Sequence, residues 1–106
     1  MASLEPAIAQ STSVAMLAAL DGLEQGGVDA GMPQQSARDY ARQALLGTTL
    51  LMDDLAESPA RLKDLVTSPG GTTIVGLAAL EDRGVRGVLL RMVQGAAGRA
   101  AKGGDK

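Results

Sequence analysis

The stretch "PQQSARDYARQALLGTTLLMDDLAE", residues 33–57, decides the fold. Small or apolar side chains recur in it at Ala37, Tyr40, Ala41, Ala44, Leu45, Thr48, Leu51, Met52 and Leu55. Steps of three and four residues put them on one side of a helix, so the spacing predicts a helix from Pro33, a good first-turn residue, to about Glu57. Leu46 and Leu50 lie off that stripe. A helix that is greasy on more than one side is either central in a bundle or shared with a second subunit. A chain of 106 residues buries a small share of its surface by itself, so the expectation is a homodimer.

Outward from this helix the same period holds nearly everywhere, and no segment alternates with period two. The fold class expected is all-α, one small domain of five helices over residues 1–106. A first helix is expected from Ser3, a good N-cap, through Pro6 in its first turn to about Glu24, with Leu4, Ile8, Ala15, Ala19 and Leu23 on one broad face and Gly26-Gly27 interrupting it. Ser58-Pro59 reads as a cap followed by a first-position proline, giving a short helix from Pro59 to about Val66 that Pro69 ends. A fourth helix runs from about Thr72 to Asp82, presenting Ile74, Leu77 and Ala78, with Gly84 as its left-handed terminator. The last, Val85 to about Ala100, carries the stripe Val88, Leu89, Met92, Val93 and Ala96, with Arg86, Arg91 and Arg99 mostly off it. The end of the chain, residues 103–106, is expected to fray.

Composition removes several function classes. With no cysteine and no histidine, disulfides, thiolate chemistry, zinc sites and Ser-His-Asp triads are excluded, and no metal site is expected. The net charge of -2 hides an asymmetry: residues 1–57 carry eight acids and two bases, residues 58–106 four acids and eight bases. Such a gradient helps subunits pair or attracts an anion. A sequence pI of about 4.9 and a single aromatic residue, Tyr40, argue against a nucleic-acid partner. Glu5, with no basic residue before the apolar stretch, argues against a secretory signal, so a cytoplasmic protein is expected. The longest uncharged run, Pro6 to Leu20, is interrupted by Gln10, Ser11, Thr12 and Ser13, so no membrane partner is expected either.

Among candidate sites, "VTSPGGTTI", residues 66–74, stands first. Glycines before a helix let a backbone approach a ligand, and the helix's first N–H groups have no internal partners, so together they hold an anion. Thr72 and Thr73 add hydroxyls. The Walker spacing and its lysine are absent, and a carboxylate suits the loop better than a triphosphate. Read on spacing alone, an ordinary helix–helix turn explains the same residues. Asp53 and Asp54, as sequence neighbours, point roughly 100° apart on a helix and read as a solvated helix end. Asp39 and Tyr40 are a weaker candidate for proton chemistry, since Tyr40 sits on the apolar stripe and reads as a core residue. Gln10 to Ser13 reads equally as a pocket lining and as a solvated or back-bonded turn.

Three stretches then resemble one family in the same order. "VTSPGGTTIVGLAALEDRGVRGVLLRMVQGAAGRA", residues 66–100, is similar to the C-terminal segment of pyrroline-5-carboxylate reductase, "LEQGGVDAGMP", residues 23–33, to the glycine-rich join between that family's first two dimerisation helices, and "ALLGTTLLM", residues 44–52, to its long second helix. The resemblance covers roughly residues 15–102 and implies a helical domain that interlocks with its twin. By position it implies substrate contacts at Ser68, Gly70, Gly71, Thr72 and Thr73, around the carboxylate of a cyclic imino acid. The family's nucleotide-binding Rossmann part is not among these residues, since no Gly-x-Gly-x-x-Gly occurs, so no cofactor is expected within this chain and NAD(P)H only with a separate Rossmann domain.

Where the family opens its first dimerisation helix with Gly-Ser-Gly-Pro-Ala-Tyr, this chain has Gln10-Ser-Thr-Ser-Val-Ala15. The departure makes a stand-alone homologue with a changed pocket the expectation, binding a small carboxylate or cyclic imine at its dimer interface and catalysing a non-redox step such as cyclisation, imine formation or proton transfer. Glu5, Ser11, Ser13 and Thr73 are the catalytic candidates. The alternative is the non-catalytic dimerisation half of a divergent NAD(P)H-dependent reductase.

Overall fold

The computed structural model describes residues 4–66 and 71–101. They form five α-helices: α1 Leu4–Asp29, α2 Gln34–Leu55, α3 Pro59–Val66, α4 Gly71–Asp82 and α5 Val85–Ala101. No strand occurs among the described residues, so the chain is all-α as the periodicity implies. The expected cap at Ser3, and the proline stop at Pro69, lie outside the described residues.

Each junction follows from local chemistry, though one is misplaced by sequence reasoning. Gly26 and Gly27 do not interrupt the first helix, which continues to Asp29. The stop is Gly31, at φ 114, a region open to glycine at no steric cost. Its N–H donates to Val28 O at 3.0 Å and that of Met32 to Gly27 O at 2.9 Å, the paired closure of a Schellman motif. Gly27 serves packing instead: a Cβ there would lie 2.9 Å from the Cβ of Ala37 on α2 and 3.3 Å from the Met32 sulfur. Pro33 sits just before α2 with an extended backbone (φ -60, ψ 147), and its carbonyl takes the Ala37 N–H at 2.9 Å.

The same closure ends α2, with Ala56 N–H on Asp53 O and Glu57 N–H on Met52 O, both at 3.3 Å. Here the left-handed residue is Ala56, at φ 52, and its Cβ makes that conformation cost about 1–2 kcal/mol. Ser58 caps α3 as expected, its Oγ accepting the Arg61 N–H at 3.2 Å, and Pro59 opens the helix. Gly84, at φ 65, separates α4 from α5 as expected.

The helices group into two compact units. One, residues 20–79, holds the second half of α1, α2, α3 and α4 as far as Ala79. Its core is small: Ala37, Ala41 and Leu62 are the buried hydrophobic residues among those described, at 3%, 9% and 3% exposure. The other unit takes the first half of α1, the end of α4 and α5, with none of its described residues fully buried. Along α1 the half-buried positions change side. Leu4, Ala7, Ile8, Ser11 and Ala15 form one stripe, whereas Met16, Leu20, Glu24, Gly27 and Val28 lie on the nearly opposite side of the helix. The single broad face expected for this helix therefore fails at its end: Ala19 and Leu23 are exposed.

The stripe expected for α2 also divides. Ala37 and Ala41 are buried and Leu45 and Met52 half-buried, but Tyr40, Ala44, Thr48, Leu51 and Leu55 are exposed. On α5, Met92, Val93 and Ala96 are half-buried while Val88 and Leu89 are exposed. Two substitutions test the junctions, by urea unfolding at one fixed protein concentration. Ala56→Gly, which removes the Cβ from the left-handed position, raises stability by about 0.5–1 kcal/mol. Gly27→Val, which forces the α1–α2 contact apart, lowers it by about 1–3 kcal/mol.

Candidate functional site

The loop singled out in the sequence leads into α4, which begins at Gly71 rather than Thr72. Ser68 and Gly70 lie outside the described residues, as do the side chains of Thr72 and Thr73. The described backbone of Gly71, Thr72 and Thr73 is the first turn of α4, whose leading N–H groups have no acceptor within the helix.

The remaining candidates sit on α1. Glu5 and Ser13 are exposed and Ser11 is half-buried. Ser11 and Ser13 are two residues apart on a continuous helix, so their side chains point roughly 200° apart and do not converge on one pocket within a chain. Between them, the Thr12 hydroxyl donates back to Ile8 O at 2.8 Å, the local bonding expected of a hydroxyl within a helix. On α2, Asp53 and Asp54 are both exposed, as a solvated helix end requires. Asp39 accepts from Gln35 Nε2 at 3.1 Å and Arg42 Nη2 at 3.2 Å. Tyr40 is 69% exposed in the single chain, contrary to its reading as a core residue, because the side of α2 that carries it is not covered by the chain's own helices.

The polar cluster that sequence reasoning missed joins α1 to α2. Glu24 accepts hydrogen bonds from Arg38 Nε at 2.9 Å and Nη2 at 3.1 Å, and from Gln34 Nε2 at 3.0 Å. The Glu24 side chain is 15% exposed against 56% for Arg38, so the carboxylate is the more enclosed partner. The Arg38 hydrogen bonds, then that of Gln34, hold the Glu24 carboxyl below its usual value against a smaller opposing effect of desolvation. Its own hydrogen bonds to Glu24, and then the Glu24 charge, raise Arg38. With both oxygens engaged, the carboxylate ties the hairpin together and is not presented to a ligand. Placing the end of α1 at Asp29 is the signal that finds it, since Glu24 then lies within the helix, ten residues before Gln34 and fourteen before Arg38.

Among the described residues no group of three or more acidic side chains could hold a metal ion. No described helix is long and apolar enough to cross a membrane.

Comparison with known proteins adds identity to this geometry. The family model described as pyrroline-5-carboxylate reductase dimerisation matches residues 5–103. The chain is 45% identical over 87 residues to a pyrroline-5-carboxylate reductase of Synechocystis sp., covering 82% of this chain and 33% of the relative. It is 44% identical over 82 residues to the Glycine max reductase, 77% of this chain and 30% of the relative. Against pyrroline-5-carboxylate reductase 3 of Danio rerio it is 43% identical over 86 residues, 81% and 30% of the two chains. The chain thus spans about a third of the length of these relatives.

The Glu24 cluster predicts a pH dependence with a definite sign. A carboxyl depressed in the folded state contributes stability above its unfolded value and loses it as pH falls through the folded one. Glu24→Gln is therefore less stable than the parent at neutral pH, and the gap closes as the solution is acidified through and below the ordinary carboxylate range. Thermal melts of both proteins across that range check it.

Proposed function

That the chain belongs to the pyrroline-5-carboxylate reductase dimerisation family is the ground on which we propose that it is a helical pairing module holding a small carboxylate or cyclic imine at a homodimer interface. The observation that carries the reading is the family match over residues 5–103, a range that includes Ser68, Gly70, Gly71, Thr72 and Thr73 and the start of α4 at Gly71. Backbone N–H groups at a helix start and flanking hydroxyls recognise a carboxylate by charge-assisted hydrogen bonds. The second copy covers the side of α2 that carries Tyr40 and Leu51, together with the neighbouring Leu50, all exposed in the single chain.

Chemistry that needs no redox cofactor fits such a site. In closure of an amino-carbonyl carboxylate, the amine nitrogen bonds to the carbonyl carbon and the carbonyl oxygen leaves as water, giving a cyclic imine. The proton carrier in this reading is Glu5, Ser11, Ser13 or Thr73. Because Ser11 and Ser13 diverge on α1, one chain supplies at most one of them to a given pocket.

A second reading is favoured by the extent of the relatives, which are named reductases and of which this chain spans about a third. In it, the chain is the dimerisation half of a reductase whose NAD(P)H-binding Rossmann domain is separate. Both readings place the carboxylate at the α4 loop. Gly71→Val puts a branched side chain where the backbone meets the ligand. It lowers affinity for pyrroline-5-carboxylate or proline at least about tenfold in titration calorimetry, one anchoring interaction's worth, and leaves the sedimentation coefficient unchanged. Loss of the dimer in this variant would make the loop structural, and no heat of binding to the parent would remove the ligand from the account.

A further inference from the structure

We infer that an unpaired chain of this protein is not a folded molecule: helix formation and pairing with a second copy are a single step. The inference rests on the homodimer reading above and goes beyond it, since many dimers dissociate into folded monomers.

The basis is the mismatch between what the chain orders and what it buries. Helices of 26, 22, 8, 12 and 17 residues must all be held. Helices of about a dozen residues or fewer are marginal in water by themselves, and tertiary packing of an apolar face supplies most of their stability. Here the buried hydrophobic residues among those described are Ala37, Ala41 and Leu62, two of them with only a methyl group to contribute. Among the described residues thirteen large hydrophobic side chains stay exposed, on both units.

Within residues 20–79 these include Tyr40, Leu50 and Leu51 on α2 and Val75 on α4. In the unit that contains α5 they include Val14, Leu80 and Val88. From Val75 to Leu80, before Glu81 and Asp82, α4 is made of apolar and glycine residues alone, and a stretch that is apolar all round is stable when it is covered. The ion pairs Glu24–Arg38 and Asp39–Arg42 do not replace this burial, since each involves an arginine more than half exposed to water. A second copy is the covering surface, because the family match makes this chain a dimerisation domain.

Far-UV circular dichroism and sedimentation velocity, recorded on the same dilution series of the full chain, test the inference. Coupled folding predicts that helical signal and dimer mass fall together over the same range of concentration, and that the thermal midpoint drops with each dilution step. Dimers that dissociate into monomers retaining their helical signal would overturn the coupling and leave the pairing intact. A chain that is monomeric and helical at every concentration would overturn both. The variant Leu50→Glu adds an independent reading: it is unfolded under coupled folding, and a helical monomer contradicts it.

Discussion

At Gly27 there is room for a hydrogen atom and nothing larger. The absent side chain brings α1 against Ala37 of α2, and the rest of the described core follows from that approach. Ala41 is buried one turn further along α2, and Glu24 is brought within reach of both Arg38 and Gln34. A chain with no Phe or Trp and one Tyr can pack its helices at close range with alanine and glycine, but only a thin core results. Thirteen of the larger apolar side chains among the described residues, leucine and valine among them, are left on the outside of the single chain. A monomer seldom exposes so many without a partner for them.

Much of the fold is legible in the sequence because its signals are local. The start of α3 follows from Ser58 and Pro59, and the break between α4 and α5 from Gly84. What is illegible depends on distant contacts. Gly26-Gly27 carries the local signature of a helix stop, yet the helix passes through it, because packing against Ala37 ten residues later compensates the low helix propensity of glycine. Ala56 carries no signature of a left-handed residue at all, since glycine ordinarily occupies that place. The two-sided seam of α1 is invisible for a third reason: its apolar and small residues are spread around the helix, so the sequence does not say where the packed side changes.

The candidate site divides in the same way. At the loop, the start of α4 is legible in the glycine and hydroxyl pattern to within one residue, at Gly71 instead of Thr72. Ser11 and Ser13 looked like one polar patch in the sequence, but a continuous helix sends them to different sides. Tyr40 shows why burial is the least legible property here. It sits on the stripe that reads as the apolar side of α2, yet the chain's own helices leave it 69% exposed.

Tyr40 also gives the most direct measurement of the central claim, that a second copy covers this face of α2. As the only aromatic residue in the sequence, its ring protons stand alone in a proton spectrum. In a sample mixing isotope-labelled and unlabelled chains, isotope-filtered nuclear Overhauser spectra are predicted to show contacts from the Tyr40 ring of one copy to leucine or valine methyl groups of the other. A dimeric sample in which that ring contacts solvent and its own chain alone would contradict the account.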